Sequence, residues 1–128
     1  MKEKFCTAIN CMDGRIQLPV INYLKSKLKL DFVDVITVPG PNKILSEGLD
    51  TQTIEKIKSC VEISVKKHGS GVVALSAHHD CAGNPVGKQV QLEQLLSSVE
   101  VVKSWNFNVK LVVLWIDKNW EIKELSIE

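Results

Sequence analysis

The chain has 128 residues, 45% of them hydrophobic, with sixteen basic against fifteen acidic side chains and a formal charge of +1. That balance does not point to nucleic acid or anionic lipid as a partner, and no apolar run approaches the roughly 20 residues needed to span a bilayer. The length predicts one domain over 1–128, able to bury roughly two-thirds of its unfolded surface without disulfides.

Lys4 to Cys11 reads as a first strand. Leu18, Ile21, Leu24 and Leu28 then follow a helical 3–4 spacing over Leu18 to Leu28. Asp31 to Val38 is a short β-branched run stopped by Pro39-Gly40-Pro41-Asn42, which predicts a turn or pocket-edge loop. The segment from Pro39 to Asp50 is the least regular stretch, with Ile44 and Leu45 available to dock it on the core. Thr51 to Lys67 predicts a helix with Ile54, Ile57, Val61 and Val65 along one face, ended by His68-Gly69-Ser70-Gly71. Cys60 falls in this helical pattern and is expected as a small buried apolar residue.

Val72 to Ala77 reads as a buried strand entering His78. Val90 to Trp105 predicts a third long helix burying a subset of Leu92, Leu95, Leu96, Val99 and Val102. Val109 to Ile116 makes a fourth strand and Trp120 to Leu125 a short fifth. Alternation of strand and helix predicts an α/β fold with a mostly parallel sheet covered on both faces. In such folds the site lies beyond the C-terminal strand ends, where the strand order reverses.

Two chemically dense segments stand at such ends. Cys11-Met-Asp13-Gly-Arg15 follows the first strand and contains the only arginine beside fifteen lysines; His78-His79-Asp80-Cys81 follows the third. Four cysteines in a chain without a convincing secretory cleavage region predict a cytoplasmic protein with reduced thiols and metal binding rather than a disulfide scaffold. Neighbouring strands are about 4.8 Å apart and thiolate–zinc distances are about 2.3 Å. Two thiolates and one imidazole could therefore meet at one zinc ion. His78, three positions before Cys81, can point inward with it, but spacing alone separates His78 from His79 only weakly. Water, substrate or Asp13 could fill the fourth position. Arg15 can pair with Asp13 and keep it off the metal, leaving the carboxylate to accept a hydrogen bond from water or hydroxide there.

Together the two segments resemble the paired signatures of the beta-class carbonic anhydrases, Cys-x-Asp-x-Arg and His-x-x-Cys, each after a parallel strand. The resemblance spans Lys4 to Ile116. It implies Cys11, His78 and Cys81 as zinc ligands and Asp13 and Arg15 as the catalytic dyad; the closeness of Asp13 to Cys11 in sequence would also let it join the metal in a closed state if its pair with Arg15 opens. It also implies reversible hydration of carbon dioxide to bicarbonate, and a homodimer or higher homo-oligomer. Two segments depart from the family pattern. Ala82 separates Cys81 from Gly83, where the family has glycine directly after the cysteine. Val38-Pro39-Gly40-Pro41-Asn42 stands where the family has Arg-Asn-Ala-Gly-Asn. The competing functions are a zinc hydrolase of carbonyl sulfide or carbon disulfide, whose entrance the altered loop would shape, and a non-catalytic zinc-binding protein.

Overall fold

Short runs rich in Val, Ile and Ala, buried on both faces, form the centre of a parallel sheet, because each side of every strand must meet a helix. The structure, a computed structural model, describes residues 2–127. Its elements are β1 (Phe5–Cys11), α1 (Gly14–Leu28), β2 (Phe32–Val38), α2 (Pro41–Glu47), α3 (Thr51–His68), β3 (Val72–His78), α4 (Lys88–Ser104), β4 (Lys110–Ile116) and β5 (Ile122–Leu125). The sheet order is β2-β1-β3-β4-β5; β1 pairs parallel with β2 and β3, β3 pairs parallel with β4, and β5 joins antiparallel. No helix among the described residues is long and apolar enough to cross a membrane.

Alternate strand residues feed two cores. Ile9, Leu75, Val113 and Trp115 pack with Leu45 of α2, Ile57 and Val61 of α3, and Leu95, Val99 and Val102 of α4. Cys6, Ala8, Ala74, Val112, Leu114 and Ile116 pack with Ile16, Val20 and Leu24 of α1. From β1 the chain passes to β2 on one side and returns to β3 on the other. The strand order reverses between β1 and β3, and the C-terminal ends at such a reversal are where open α/β sheets place their sites.

Three expectations need correction. The first helix begins at Gly14, capped by Asp13, and its buried stripe is Ile16, Val20 and Leu24; Leu18 is 67% exposed. The start lies inside the segment whose residues read as chemistry, which moved the apparent stripe. The Pro39–Asp50 stretch contains a regular helix, α2, with Gly40 as its left-handed N-cap and Pro41 in the first turn, where a missing N–H costs no helical bond. Cys60 is exposed. The buried face of α3 follows Ile57, Val61 and Ser64, and a residue adjacent to that stripe is turned about 100° away from it.

Candidate metal centre

Cys11 ends β1 and His78 ends β3, so pairing of the two strands at the sheet's reversal point brings them together. Cys81 follows on a turn in which Asp80 takes a left-handed backbone with φ 59°. The Sγ atoms of Cys11 and Cys81 are 3.7 Å apart, and the ligand atoms of Cys11, His78 and Cys81 all lie within 4.8 Å of one another. All three residues are buried. Two sulfurs about 2.3 Å from a tetrahedral zinc stand about 3.8 Å apart, so the sulfur separation fits that ion.

The imidazole is oriented for the same purpose. Nδ1 of His78 lies 2.8 Å from the carbonyl oxygen of His79, which can only accept, so Nδ1 carries the proton. Nε2 is left buried with no hydrogen-bond partner. A buried polar atom is rarely left unsatisfied, and a metal would satisfy this one, with the His79 carbonyl fixing the tautomer from behind. His79 itself is exposed and bonds through its backbone N–H to Ile116 O at 2.9 Å.

Burial opposes ionisation of Cys11, but the adjoining His78 ring in its protonated form, the N–H groups of Gly40 and Asp13 and the Cys81 thiol bring its pKa down to about 7. Burial, followed by the charge of Cys11, pushes Cys81 up to about 11, with the N–H groups of Gly83 and Asn84 pulling the other way. The first thiolate forms readily and the second requires a neighbouring cation. A divalent metal supplies that charge.

Asp13 caps α1, its Oδ1 accepting from the Arg15 backbone N–H at 2.9 Å. The Arg15 guanidinium then grips the carboxylate, with Nε 3.0 Å from Oδ1 and Nη2 2.6 Å from Oδ2. Those hydrogen bonds hold the Asp13 carboxyl down at about 2, against its partial burial. The carboxylate is thus committed to Arg15, and among the described residues the metal-capable cluster consists of Cys11, His78 and Cys81.

In sequence, the family described as "Putative carbonic anhydrase" matches residues 1–126. The chain belongs to that family. Two solved structures share its fold. One is from a report on two tetrameric beta-carbonic anhydrases of the filamentous ascomycete Sordaria macrospora, with 14% identity, a TM-score of 0.56, and 99% of this chain and 83% of that chain covered. The other is the beta-carbonic anhydrase CafA of the fungal pathogen Aspergillus fumigatus, with 15% identity, a TM-score of 0.53, and 98% and 76% covered. No curated protein matches the chain.

The two departures of this carbonic anhydrase family member from the family pattern meet in space. A Cβ on Gly40 would lie 2.9 Å from Gly83 O and 2.9 Å from Asn84 Cβ, and one on Gly83 would lie 2.8 Å from Pro39 Cβ. The loops after β2 and β3 therefore touch backbone to backbone. This brings the Gly40 N–H to 3.5 Å from Cys11 Sγ.

A buried and half-buried polar frame, absent from the sequence-based assignment, fixes the strand ends. Gln17 donates to the carbonyls of Cys11 and Asp13 at 2.8 and 2.7 Å and accepts from Asn10 at 3.0 Å. Gln91 donates to His78 O at 2.9 Å, and Asn42 to Ser76 O at 2.7 Å. Gln91 carried a usable signal. It is a polar residue in phase with the buried Leu95, Val99 and Val102 stripe of α4.

Proposed function

We propose that this chain is a zinc enzyme of about one compact domain that reversibly hydrates carbon dioxide to bicarbonate. The observation that carries the proposal is the unpartnered, buried Nε2 of His78 beside two thiols 3.7 Å apart, with a carboxylate held clear of them by Arg15. Cys11, His78 and Cys81 would hold the zinc. When bound, zinc supplies Lewis acidity, which in carbonic anhydrase lowers the pKa of water from 15.7 to about 7.

The chain's own residues do the rest. Asp13 is ionised throughout the neutral range, since its pKa is near 2. Its Oδ1 already accepts from the Arg15 backbone N–H and from Nε, at 2.9 and 3.0 Å. Oδ2 has one short bond, from Nη2, and a longer 3.2 Å contact shared with Nε. A carboxylate has about four acceptor positions, so Oδ2 is the atom left to receive a hydrogen from the attacking water and set its orientation. Arg15 orients Asp13 and keeps it off the metal; release of that grip would let Asp13 become the fourth ligand of a closed state.

The proposal includes a homodimer or higher homo-oligomer. Among the described residues no strand pairs with the outer edge of β2, and Phe32 on it is exposed; the Sordaria macrospora enzymes that share the fold are tetrameric. It also includes a cytoplasmic location, supported by a site chemistry that needs reduced thiols. The deciding experiment measures zinc content and carbon dioxide hydration on one preparation, with turnover of carbonyl sulfide and carbon disulfide at the same metal loading. A folded, zinc-loaded protein that hydrates no carbon dioxide overturns the proposal. Turnover of a sulfur analogue alone would reassign the substrate.

A further inference from the structure

Arg15 is the only arginine of the chain, and it is engaged beyond what pairing with Asp13 requires. Nη2, besides its bond to Asp13, donates to the backbone carbonyl of Asp80 at 3.0 Å, and Nη1 reaches Asp80 Oδ2 at 3.3 Å. The guanidinium lies over the ring of Trp120, with Cζ 4.4 Å from the ring centroid. Of the five N–H donors on a guanidinium, those on Nε and Nη2 and one on Nη1 are thus taken up by Asp13 and Asp80.

The backbone conformations point the same way. Asp80 and Trp120 have φ of 59° and 61°, left-handed values that a side chain disfavours, above all one as bulky as an indole. Both residues converge on one guanidinium. Trp120 is held there by a closed loop between β4 and β5. Its N–H bonds Asp117 O at 2.9 Å, and Asp117 Oδ1 receives the N–H groups of Asn119 and Glu121 at 2.9 and 3.0 Å. Strain retained at two residues that meet at a third suggests a functional placement.

We propose that Asp80 and Trp120 are positioning residues that clamp the Arg15 guanidinium, so that its two-point hold on Asp13 persists and the carboxylate stays clear of Cys11, His78 and Cys81. The Arg15 side chain is 45% exposed, and with Asp13 as sole partner it would exchange that partner for water. Asp80 takes up its free edge, and the Trp120 ring lies against the cation. A fixed planar ion can present two parallel donors to a carboxylate; a freely rotating one cannot. The consequence for catalysis rests on the zinc-enzyme proposal above, whereas the clamp itself can be measured without metal or turnover.

A single arginine means a single Arg Nε–H signal in a proton–nitrogen NMR spectrum. Its exchange rate with water reports the clamp in zinc-loaded and metal-free protein alike. Trp120 also packs with the α1-side core, so the comparison uses Trp120→Leu, which keeps apolar bulk, against Trp120→Tyr, which keeps an aromatic face. Exchange should accelerate about tenfold in Trp120→Leu, the scale of a lost cation–π contact, and remain near wild type in Trp120→Tyr. Asp80→Asn, whose parent side chain is 71% exposed, should also accelerate exchange, and it carries the comparison if Trp120→Leu does not fold. Zinc-loaded Trp120→Leu should keep its metal while kcat for hydration falls, with recovery in Trp120→Tyr. Wild-type exchange in folded Trp120→Leu or in Asp80→Asn, or equal acceleration in the leucine and tyrosine variants, overturns the clamp. Absent hydration in the wild type with a protected Arg15 signal overturns the enzyme proposal and leaves the clamp standing.

Discussion

The sulfurs of Cys11 and Cys81, 70 positions apart in the chain, stand 3.7 Å apart at the ends of two strands that lie side by side in the sheet. That distance suits an edge of a thiolate–zinc tetrahedron, and His78 supplies a third donor from the same strand end.

Cys11→Ser, Cys81→Ser and His78→Ala should each lower zinc affinity by more than the roughly 100-fold at the top of the range for lost outer-shell partners. His79→Ala should stay near wild type, because that residue serves the site through its backbone carbonyl. Competition with a chromophoric chelator gives the affinities, after circular dichroism has shown each protein folded. Normal affinity in His78→Ala would reverse the ligand assignment.

Asp13→Asn should keep its zinc but lose roughly 10²–10³-fold in hydration, the scale of removing one positioned hydrogen-bonding group from a reacting centre. Arg15→Ala should lose activity through the same carboxylate. Stopped-flow hydration with metal analysis on the same samples makes the check. Wild-type rates in both variants would remove the dyad from the mechanism.

The Asp13–Arg15 pair also sets an acid limit. The folded-state pKa of Asp13 is about 2, below the ordinary 3.8, so the native state binds fewer protons than the unfolded chain between those values. Its contribution to stability is complete above 3.8 and disappears as pH falls through about 2. In metal-free protein, Asp13→Asn should flatten that part of the stability curve. Urea titrations inside and above the window, on both proteins, test the sign.

Gly40→Ala and Gly83→Ala should each destabilise by about 1–3 kcal/mol, as small-to-large changes in packed regions do, with Gly40 also strained by its φ of 53°. Gly14→Ala has nothing within 4 Å of the new Cβ and should be neutral or stabilising by about 0.4–1 kcal/mol. Denaturant midpoints rank the three. Equal stability of all three would contradict the backbone contact between the loops.

Thiol reactivity should be ordered. Cys60 is exposed and should react first in the zinc-loaded protein. Cys11, with a pKa near 7, should become reactive once a chelator removes the metal. Burial and then the charge of Asp34 push Cys6 up to about 12, so it should wait for unfolding. Mass spectrometry of alkylated peptides gives the sequence of events.

The strands were legible because most are short runs of apolar and β-branched residues between Gly, Pro or charged residues, and their alternation with helices predicted the parallel sheet. The meeting of Cys11, His78 and Cys81 was legible because both signatures end such runs. The phase of α1 was obscured because Asp13, read for its chemistry, is also the helix cap. α2 was hidden behind Pro39-Gly40-Pro41, although a proline in the first turn after a left-handed glycine is a helix start. Trp120 on Arg15 had no local signal at all, since that contact exists only once the β4–β5 loop has folded over α1's first turn.

The strand order also constrains the folding sequence. β1, α1 and β2 form a contiguous unit whose strands pair directly, yet of the metal-capable cluster it contains only Cys11. His78 and Cys81 arrive with β3, after closure of a long loop through α2 and α3, and such non-local pairing is slow relative to local contacts. A nascent or partly refolded chain therefore cannot capture the ion with its full donor set. Metal uptake should follow docking of β3 on β1, so that loss of free zinc from solution marks a late step of folding.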